Sequence, residues 1–363
     1  MQKKPDGETT EKQPVMDVFG RPVNFGWART PLFDYNPPQI SGASRFKKNE
    51  ADRYIVFSAT HLVVFEVMDG GFLGHIGVSV FSVKDHSRSS HSIDSFFPLG
   101  RFDLPLNSEK GTIKIREKKV ALDFVVMPNN VVSASGASAS GASASGVRII
   151  KMDYPRFGHR RYLRGELVLT PAFPGAESIA AVSRWRREKY AFRYFRCSPW
   201  FIAEGVIQFG STEIYFTQDN AWAIYDWKRE VRPKQDLRYW AAACGMADGK
   251  LAGFNIGYGG ADTSTGTENA FFLNGVIHKL DQVTFHIPPA DWLDEWKFTS
   301  SDKRLEMTFT PFQQRTENRN FLYHSVKCRQ VCGTFSGRVI LDDGSEMAFW
   351  DITGFAERRK TRF

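Results

Sequence analysis

Long apolar runs are missing from this sequence. No uninterrupted stretch reaches the ~18 apolar residues that mark a membrane-spanning helix, and the polar segment after Met1 lacks the apolar core of a signal peptide. We therefore expect no transmembrane segment and a cytoplasmic protein. Cysteine is scarce too, because 4 residues in a chain of 363 are too few for a disulfide-stapled scaffold.

The chain also lacks the common motifs of metal and hydrolase sites. Cys197, Cys244, Cys328 and Cys332 form no Cys-x-x-Cys pair and have no histidine at metal-ligand spacing. On one strand, Cys328 and Cys332 would lie about 13 Å apart at roughly 3.3 Å per residue, too far for a disulfide, so we expect reduced, partly buried thiols. GxSxG, HExxH and phosphate-loop patterns are absent. We predict neither a metal ion nor a cofactor.

Helical periodicity is absent, and aromatic residues are plentiful instead. Aromatics make up 14% of the chain, with 31 Phe, and they fit pleated, half-buried surfaces. Short β-branched and aromatic runs recur roughly every ten residues between polar turns, as at Asp342-Asp343-Gly344-Ser345. We predict an all-β protein. So many short strands exceed one small barrel, which favours two antiparallel β-barrel or sandwich units packed side by side.

Composition suggests how the two units divide the chain. We predict a flexible tail over residues 1–24, an N-terminal β unit over 25–180 and a C-terminal β unit over 181–363. The Ser/Ala/Gly tract over 133–146 has no side chain able to bury area against its ordering entropy, so we predict a flexible loop there.

The net charge of +8 is concentrated in one region. Between Arg148 and Arg196 there are 12 Lys/Arg against 4 Asp/Glu. Tyr190, Phe192 and Tyr194 alternate with Ala191, Arg193 and Phe195, which favours a pair of strands with basic outward positions. An anionic ligand or surface is the second interpretation of this basic region 148–196, and nucleic acid is the least favoured.

The best candidate for a site is the stretch over 222–280, which mixes ionisable and amide side chains with aromatics and glycines. Asp226 follows Tyr225 on a predicted strand. If its side chain is buried, its pKa would rise and it could act as a general acid. The alternative is a carboxylate paired with Arg229 at a strand end.

Two further residues of this stretch could move protons. Glu268, in Thr-Glu-Asn, could exchange a proton while Asn269 orients a substrate, or it could cap a loop. His278 could titrate near neutral pH, although a lone histidine is more often a structural hydrogen-bonding group. We therefore predict Asp226, Glu268 and His278 as catalytic candidates.

Aromatic and polar neighbours would line the cavity around them. Trp227, Trp240 and Tyr258 could stabilise a developing cation. Arg229 and Asn255 could make polar contacts, and the glycines around Asn255 allow close approach of a ligand. With Asn269, these residues are the predicted substrate-binding set.

Several motifs occur in an order that resembles the DUF2804 family. They are Leu32-Phe33-Asp34-Tyr35-Asn36-Pro37, Asp226-Trp227-x-Arg229, Trp240-x-x-x-x-Gly245, Gly253-Phe254-Asn255-Ile256-Gly257-Tyr258-Gly259, Thr267-Glu268-Asn269-Ala270-Phe271, Gly275-x-x-His278-Lys279-Leu280, Phe298-Thr299-Ser300-Ser301-Asp302 and Gly354-Phe355-Ala356-Glu357. The family is similar in architecture to two-domain lipocalin-like proteins, including carotenoid 1,2-hydratase-like and AttH-like proteins. The resemblance implies two antiparallel barrels with ligand space in a barrel mouth or between them. It does not imply a reaction.

Two classes of function fit these observations. The first is a lyase or hydratase that uses carboxylate acid/base chemistry on an apolar, isoprenoid- or lipid-like substrate; glycoside chemistry is a variant of it. The second is a binder of a small hydrophobic or glycan ligand without turnover. Carboxylates within about 10 Å of each other across a cavity would favour an enzyme, and well-separated carboxylates would favour the binder.

Overall fold

Strands make up most of the described chain, as predicted for an all-β protein. The computed structural model describes residues 7–127, 146–158, 161–321 and 324–362. No helix within these ranges is long and apolar enough to cross a membrane.

A 3-10 turn spans Pro37–Gln39, and the helix α1 spans Ser44–Lys47. The strands are β1 (Gln13–Pro14), β2 (Gly26–Ala28), β3 (Phe33–Asp34), β4 (Lys48–Ser58), β5 (His61–Gly70), β6 (Leu73–Ser82), β7 (Arg88–Phe96), β8 (Gly111–Glu117), β9 (Val120–Met127), β10 (Val147–Phe157), β11 (Arg161–Pro171), β12 (Ile179–Trp185), β13 (Glu188–Phe209), β14 (Thr212–Phe216), β15 (Ala221–Val231), β16 (Gln235–Ala247), β17 (Lys250–Tyr258), β18 (Ala270–Leu273), β19 (Val276–Lys279), β20 (Val283–His286), β21 (Trp296–Ser300), β22 (Leu305–Phe321), β23 (His324–Ile340) and β24 (Glu346–Arg362).

The first unit is one curled antiparallel sheet. Its main path runs β7-β6-β5-β4-β15-β13-β11-β10-β9-β8, and β2, β12 and β14 attach to it through β12 and β13. The sheet curls until β7 approaches β10. Inward side chains fill the interior with aliphatic and aromatic groups, as expected for a barrel of about this size.

The second unit is a smaller curled sheet in the order β19-β18-β17-β16-β24-β23-β22-β21-β20. The strands β17 and β20 approach each other across the opening. A separate interior core of Phe, Trp and aliphatic side chains fills this unit. The predicted hairpin between β23 and β24 is present, and Gly344 takes a φ of +86° in its turn, a conformation that glycine adopts without strain.

The change from one sheet to the other comes later than the predicted boundary between residues 180 and 181. That boundary falls inside β12, which pairs with β13 in the first sheet. The chain passes from the first sheet to the second between Val231 and Gln235, because β15 still belongs to the first unit, where it lies between β4 and β13 as a central strand. Composition does not change at Val231, so the sequence gives no signal for this late insertion.

Residues 7–24 are ordered, although the sequence suggests that they form part of a flexible tail. The strand β1 pairs in parallel with β3, and Val15 and Met16 are buried in the first core. Burial of these two side chains offsets the ordering entropy of the segment. Residues 133–145 of the Ser/Ala/Gly tract lie outside the described residues.

A third apolar cluster joins the two units. It combines outward-facing residues of the first sheet, such as Ile55 and Phe195, with Trp240, Phe272 and Phe355 of the second. All four cysteines are free and buried, and Cys197, Cys244 and Cys332 belong to this cluster. The units therefore share a core at their interface in addition to their two interiors.

Candidate functional site

Strand alternation on β15 separates residues that the sequence places in one site. Tyr225 and Trp227 belong to the interior core of the first barrel. Asp226 and Lys228 point the opposite way, towards the second unit. Because successive side chains of a strand face opposite sides of its sheet, Asp226 and Trp227 cannot line the same cavity.

Asp226 belongs to a dense group of charges where the outer face of the first sheet meets β16 and β24. We call this group the charged seam; it is lined by Arg53, Arg193, Asp226, Lys228, Glu230, Arg232, Asp236, Arg238, Glu357, Arg359 and Thr361. Ion pairs fill it, such as Arg53 to Glu357 at 3.7 Å between the two sheets and Arg193 to Glu230 at 3.0 Å within the first sheet. Its cavity holds about 30 Å³, which is room for about one water molecule.

Burial sets the protonation of Asp226. Its side chain is almost fully buried, and Oδ1 accepts no hydrogen bond within the described part of the chain. Desolvation raises the pKa of Asp226, the charges of Arg53, Lys228 and Arg238 oppose the rise, and the charge of Glu268 adds to it. Burial also lowers the pKa of Lys228 to about 8. The seam thus holds an acid and a base whose pKa values are both shifted towards neutrality.

Glu268 lies beside the seam and is held in an ion pair. Arg238 Nε donates to its Oε1 at 3.2 Å, and a second bond from Arg238 completes a fork. Asn255 Nδ2 donates to the Glu268 carbonyl at 2.9 Å, and Trp240 Nε1 donates to Asn255 Oδ1 at 2.7 Å. The structure therefore brings together Trp240, Asn255 and Glu268 near Asp226. Their polar groups hydrogen-bond to one another and to Arg238, and these bonds anchor the loop before β18.

The other predicted residues lie elsewhere. Asn269 accepts from the Gly257 N–H at 2.7 Å and donates to the Asp281 carbonyl at 2.8 Å. His278 Nδ1 accepts from the N–H of Asp342 in the β23–β24 turn. Tyr258 stacks on Tyr239 with ring centroids 4.6 Å apart, 36% exposed. None of these contacts of Asn269, His278 and Tyr258 involves a residue of the charged seam.

A cavity larger than that of the charged seam lies in the first barrel and is lined by Trp227, one of the predicted site residues. We call it the mouth pocket. Its volume is about 430 Å³, and it is lined by Lys12, Thr30, Pro31, Leu32, Phe33, Asp34, Tyr35, Leu106, Asn107, Ser108, Glu109, Tyr194 and Trp227. The segments around Phe33 and Leu106 cover the inward faces of β13 and β15 there. The aromatic motif near the N-terminus thus forms one wall of the pocket.

Trp227 occupies the buried side of the mouth pocket with an unused donor. Its side chain is 1% exposed, and its Nε1 has no acceptor among the residues described. Arg229 lies over the ring with its guanidinium carbon 4.3 Å from the centroid, and Tyr194 packs edge-on at 4.8 Å. These contacts hold the indole ring in one orientation, so the direction of its N–H is fixed as well.

Comparison with known proteins assigns the family. The profile of DUF2804, described as a domain of unknown function, matches residues 6–363. The chain belongs to the DUF2804 family. No curated protein sequence matches it.

Solved structures with a similar fold are distant in sequence from this DUF2804 protein. CghA, solved with Sch210972, has a TM-score of 0.52 at 11% identity, with 87% of this chain and 88% of CghA covered. Kievitone hydratase from Nectria haematococca has a TM-score of 0.48 at 8% identity, covering 89% and 93% of the two chains. A protein assigned as AttH (NE1406) from Nitrosomonas europaea has 0.48 at 12%, covering 86% and 91%. The likeness to CghA supports the fold alone.

Buried arginines surround the mouth pocket of the DUF2804 protein, and the sequence-based site did not include all of them. Arg196 donates to Ser108 Oγ at 2.7 Å, and Arg229 donates to Asp52 Oδ1 at 2.8 Å and to the Pro105 carbonyl at 2.6 Å. These bonds hold the 105–109 loop that lines the pocket. An arginine at an inward position of an apolar strand is the signal that could have identified them.

The basic region 148–196 does not form one surface. Arg148 and Arg196 are buried inside the first barrel, and Arg193 is buried in the charged seam. Arg186 is exposed but paired with Asp262 at 2.7 Å. The alternation of Phe192 and Tyr194 with Arg193 follows the two faces of β13, as the strand interpretation predicts.

No group of three or more His, Cys, Asp or Glu side chains in the described ranges has the geometry to hold a metal ion.

Proposed function

We propose that this DUF2804 protein binds a small, largely apolar organic molecule in the mouth pocket. The ligand would place a flat or branched apolar part against Phe33, Tyr35, Tyr194 and Trp227. A carbonyl, ether or hydroxyl oxygen of the ligand would accept the Trp227 indole N–H.

The observation that carries this proposal is that Nε1 of Trp227 has no acceptor among the described residues. Leaving a buried donor without an acceptor costs roughly 1–3 kcal/mol, and such donors are rare in native interiors. Arg229 and Tyr194 hold the ring in place, so the N–H cannot turn to another acceptor. Nε1 itself has almost no exposed surface, so a small shift of the pocket lining would let a ligand oxygen reach the N–H and remove the penalty.

The size and lining of the pocket suit such a ligand. Its volume of about 430 Å³ falls within the ~300–1,000 Å³ usual for small-molecule sites. Lipocalin-type barrels hold one small ligand in their interior. CghA, whose fold resembles this one, was solved with Sch210972, which supports a small-molecule site in an architecture of this type. The same pocket would offer a glycan polar contacts from Asp34, Asn107 and Glu109. Glycans are therefore included among the compounds tested.

Thermal stabilisation by compounds from a native cell extract tests the proposal. The expected result is a small-molecule fraction that raises the melting temperature of the wild-type protein and can be identified by mass spectrometry after release. Trp227→Phe keeps an aromatic ring, although a smaller one than indole, and removes the N–H, so it should reduce the shift. Trp350→Phe is the matched control, because Trp350 is 66% exposed. An equal shift in Trp227→Phe, or no stabilising fraction, contradicts the proposal.

Acid/base catalysis in the charged seam is the second candidate function, and one observation favours it. Asp226 has a raised pKa, and its Oδ1 accepts no hydrogen bond from the described residues, as suits a general acid. However, the seam cavity holds only about 30 Å³, so an organic substrate would need the units to separate. This cavity favours the binder over the lyase or hydratase.

The two functions can be separated with the same ligand. A binder is stabilised equally by the ligand in the wild type, Asp226→Asn and Glu268→Gln, and the wild type leaves the compound unchanged. A lyase, hydratase or glycoside-cleaving enzyme converts the compound in the wild type and loses conversion in Asp226→Asn. Mass spectrometry of the incubated compound measures the difference.

A further inference from the structure

A second polar cavity lies between the two units, away from the mouth pocket. It holds about 190 Å³ between the outer faces of β5, β6 and β7 and the facing strand β22. Its cationic lining is Arg88 from the first unit and Arg315 from the second, with hydroxyls of Ser79, Ser90 and Thr316 around them. We infer that this cavity binds a small tetrahedral oxyanion, either inorganic phosphate or the phosphate group of a larger molecule.

Arg88 is the first reason. It is half-buried, yet no carboxylate in the described ranges lies within ion-pair distance of it. Its contacts are the Ser90 hydroxyl and the Phe81 ring, whose centroid is 6.0 Å from the guanidinium carbon. Its Nε has no acceptor among the described groups. Since charges removed from water are normally paired, Arg88 is a cation without its counter-ion.

Arg315 is the second reason. It lies close enough to Arg88 for their charges to repel; burial first and this repulsion second lower the pKa of Arg88 to about 10. Arg315 also donates towards Ser79 Oγ at 3.5 Å. Two guanidinium groups with adjacent hydroxyls match the several acceptor oxygens of a phosphate, which arginine binds through forked hydrogen bonds.

The carboxylates of the same cavity already have partners. Glu66 pairs with Arg53 at 3.1 Å and with Arg359 at 3.7 Å. Glu317 pairs with Arg315 at 2.6 Å and also with Arg319. Neither carboxylate reaches Arg88, so the negative charge that this arginine lacks would come from outside the chain.

The position of the cavity predicts what the anion does. Arg88 and Ser90 belong to β7 of the first unit, and Arg315 and Thr316 belong to β22 of the second. An oxyanion bound by both strands bridges the units, so its binding energy adds to the stability of their packing.

The test compares inorganic phosphate and sn-glycerol 3-phosphate with sodium chloride at equal ionic strength, using wild-type protein, Arg88→Gln and the control Arg164→Gln. Arg164 lies on an exposed surface and pairs with Asp153. We expect phosphate or its ester to raise the melting temperature of the wild type and of Arg164→Gln. In Arg88→Gln the shift should vanish, and the dissociation constant measured by calorimetry should rise about tenfold or more, as expected when a charged contact is lost.

Folding of the variant can be judged separately. Removing an unpaired, repelled cation should leave the melting temperature of Arg88→Gln in plain chloride buffer unchanged or higher. A larger shift with the ester than with phosphate assigns the site to a phosphorylated ligand, and the reverse assigns it to the free ion. No stabilisation beyond that of chloride, or an equal phosphate shift in Arg88→Gln, overturns the inference.

Discussion

Individual buried charges decide what each face of β15 can do. Arg229 points into the first barrel and pairs with Asp52, whose other oxygen accepts the Tyr225 hydroxyl at 2.6 Å. Asp226, three residues before Arg229 and on the other face of the strand, has no such partner for Oδ1 among the described residues. Two charged residues on opposite faces of one strand therefore differ in their pairing, and substitutions at the two positions should change stability in opposite directions.

Replacing Arg229 by Leu should destabilise the protein by about 3–5 kcal/mol, because breaking a buried ion pair leaves Asp52 as an uncompensated charge. Urea unfolding followed by fluorescence measures the loss. Arg164→Leu is the control, since its pair with Asp153 is exposed and should contribute at most ~1 kcal/mol. Equal losses in the two variants would show that the Arg229 pair carries no special weight.

Asp226→Asn should raise stability at neutral pH. The folded-state pKa of Asp226 lies above its ordinary value, so the folded protein binds more protons than the unfolded chain between the two pKa values. Stability from this group is therefore present at low pH and lost as pH rises through the folded pKa.

The asparagine variant removes that loss. Its melting temperature should exceed that of the wild type at pH 7.5, by a few degrees at roughly 2–4 °C per kcal/mol, and the difference should shrink at pH 4.5. A melting temperature below that of the wild type at pH 7.5 would mean that Asp226 is needed as a charged partner of Arg53 and Lys228.

Among the elements, β17 shows how a glycine makes room for an ion pair. A Cβ on Gly257 would collide with the Glu268 carboxylate and lie 2.9 Å from the Tyr239 carbonyl. Gly257→Ala should therefore displace Glu268 from Arg238 and cost roughly 1–3 kcal/mol, as overpacking does.

Gly245→Ala on the neighbouring strand β16 is the control for Gly257→Ala. A Cβ there meets only Ile352 at an ordinary 3.4 Å, so stability should hardly change. Chemical denaturation of both variants checks the difference; a tolerated Gly257→Ala would mean that the loop carrying Glu268 can move freely.

Element type could be predicted from the sequence, whereas element pairing could not. The alternation of Phe192 and Tyr194 with Arg193 identified β13, and Asp343-Gly344 identified the turn before β24, because local geometry determines both. The partner of β15 depends on contacts far along the chain, and nothing local shows that it lies between β4 and β13. The predicted boundary at residue 180 was therefore too early.

The candidate site was predicted only in part for the same reason. Trp240, Asn255 and Glu268 meet near Asp226, as their shared stretch suggested. His278 and Tyr258 lie elsewhere because β17 and β19 each present two faces. The mouth pocket could not be predicted from 222–280 alone, since most of its lining comes from residues 30–35 and 106–109.

At the scale of the whole molecule, the units share a core and a charged seam. Trp240 lies in the shared apolar cluster and packs edge-on against Phe355 with centroids 4.8 Å apart. Arg53 of the first unit lies over the same indole ring at 5.1 Å. Apolar and cation–π contacts across the interface should couple the folding of the two units.

Calorimetry should therefore show one unfolding transition with equal calorimetric and van't Hoff enthalpies. Trp240→Ala should lower this single transition by the equivalent of about 3–5 kcal/mol, the usual cost of emptying a buried aromatic site. Trp350→Ala, at an exposed position, should leave it in place. Two resolved transitions in the wild-type protein would contradict the coupling.

The central position of β15 also has a consequence for biosynthesis. Until residues 221–231 have left the ribosome, β4 and residues 192–202 of β13 each expose the sheet edge that pairs with this strand in the folded protein. Both edges therefore stay unpaired while more than half of the polypeptide has already left the ribosome. Such unpaired edges favour chaperone binding. Closure of the first barrel therefore awaits translation of its last strand, however early its other strands are made.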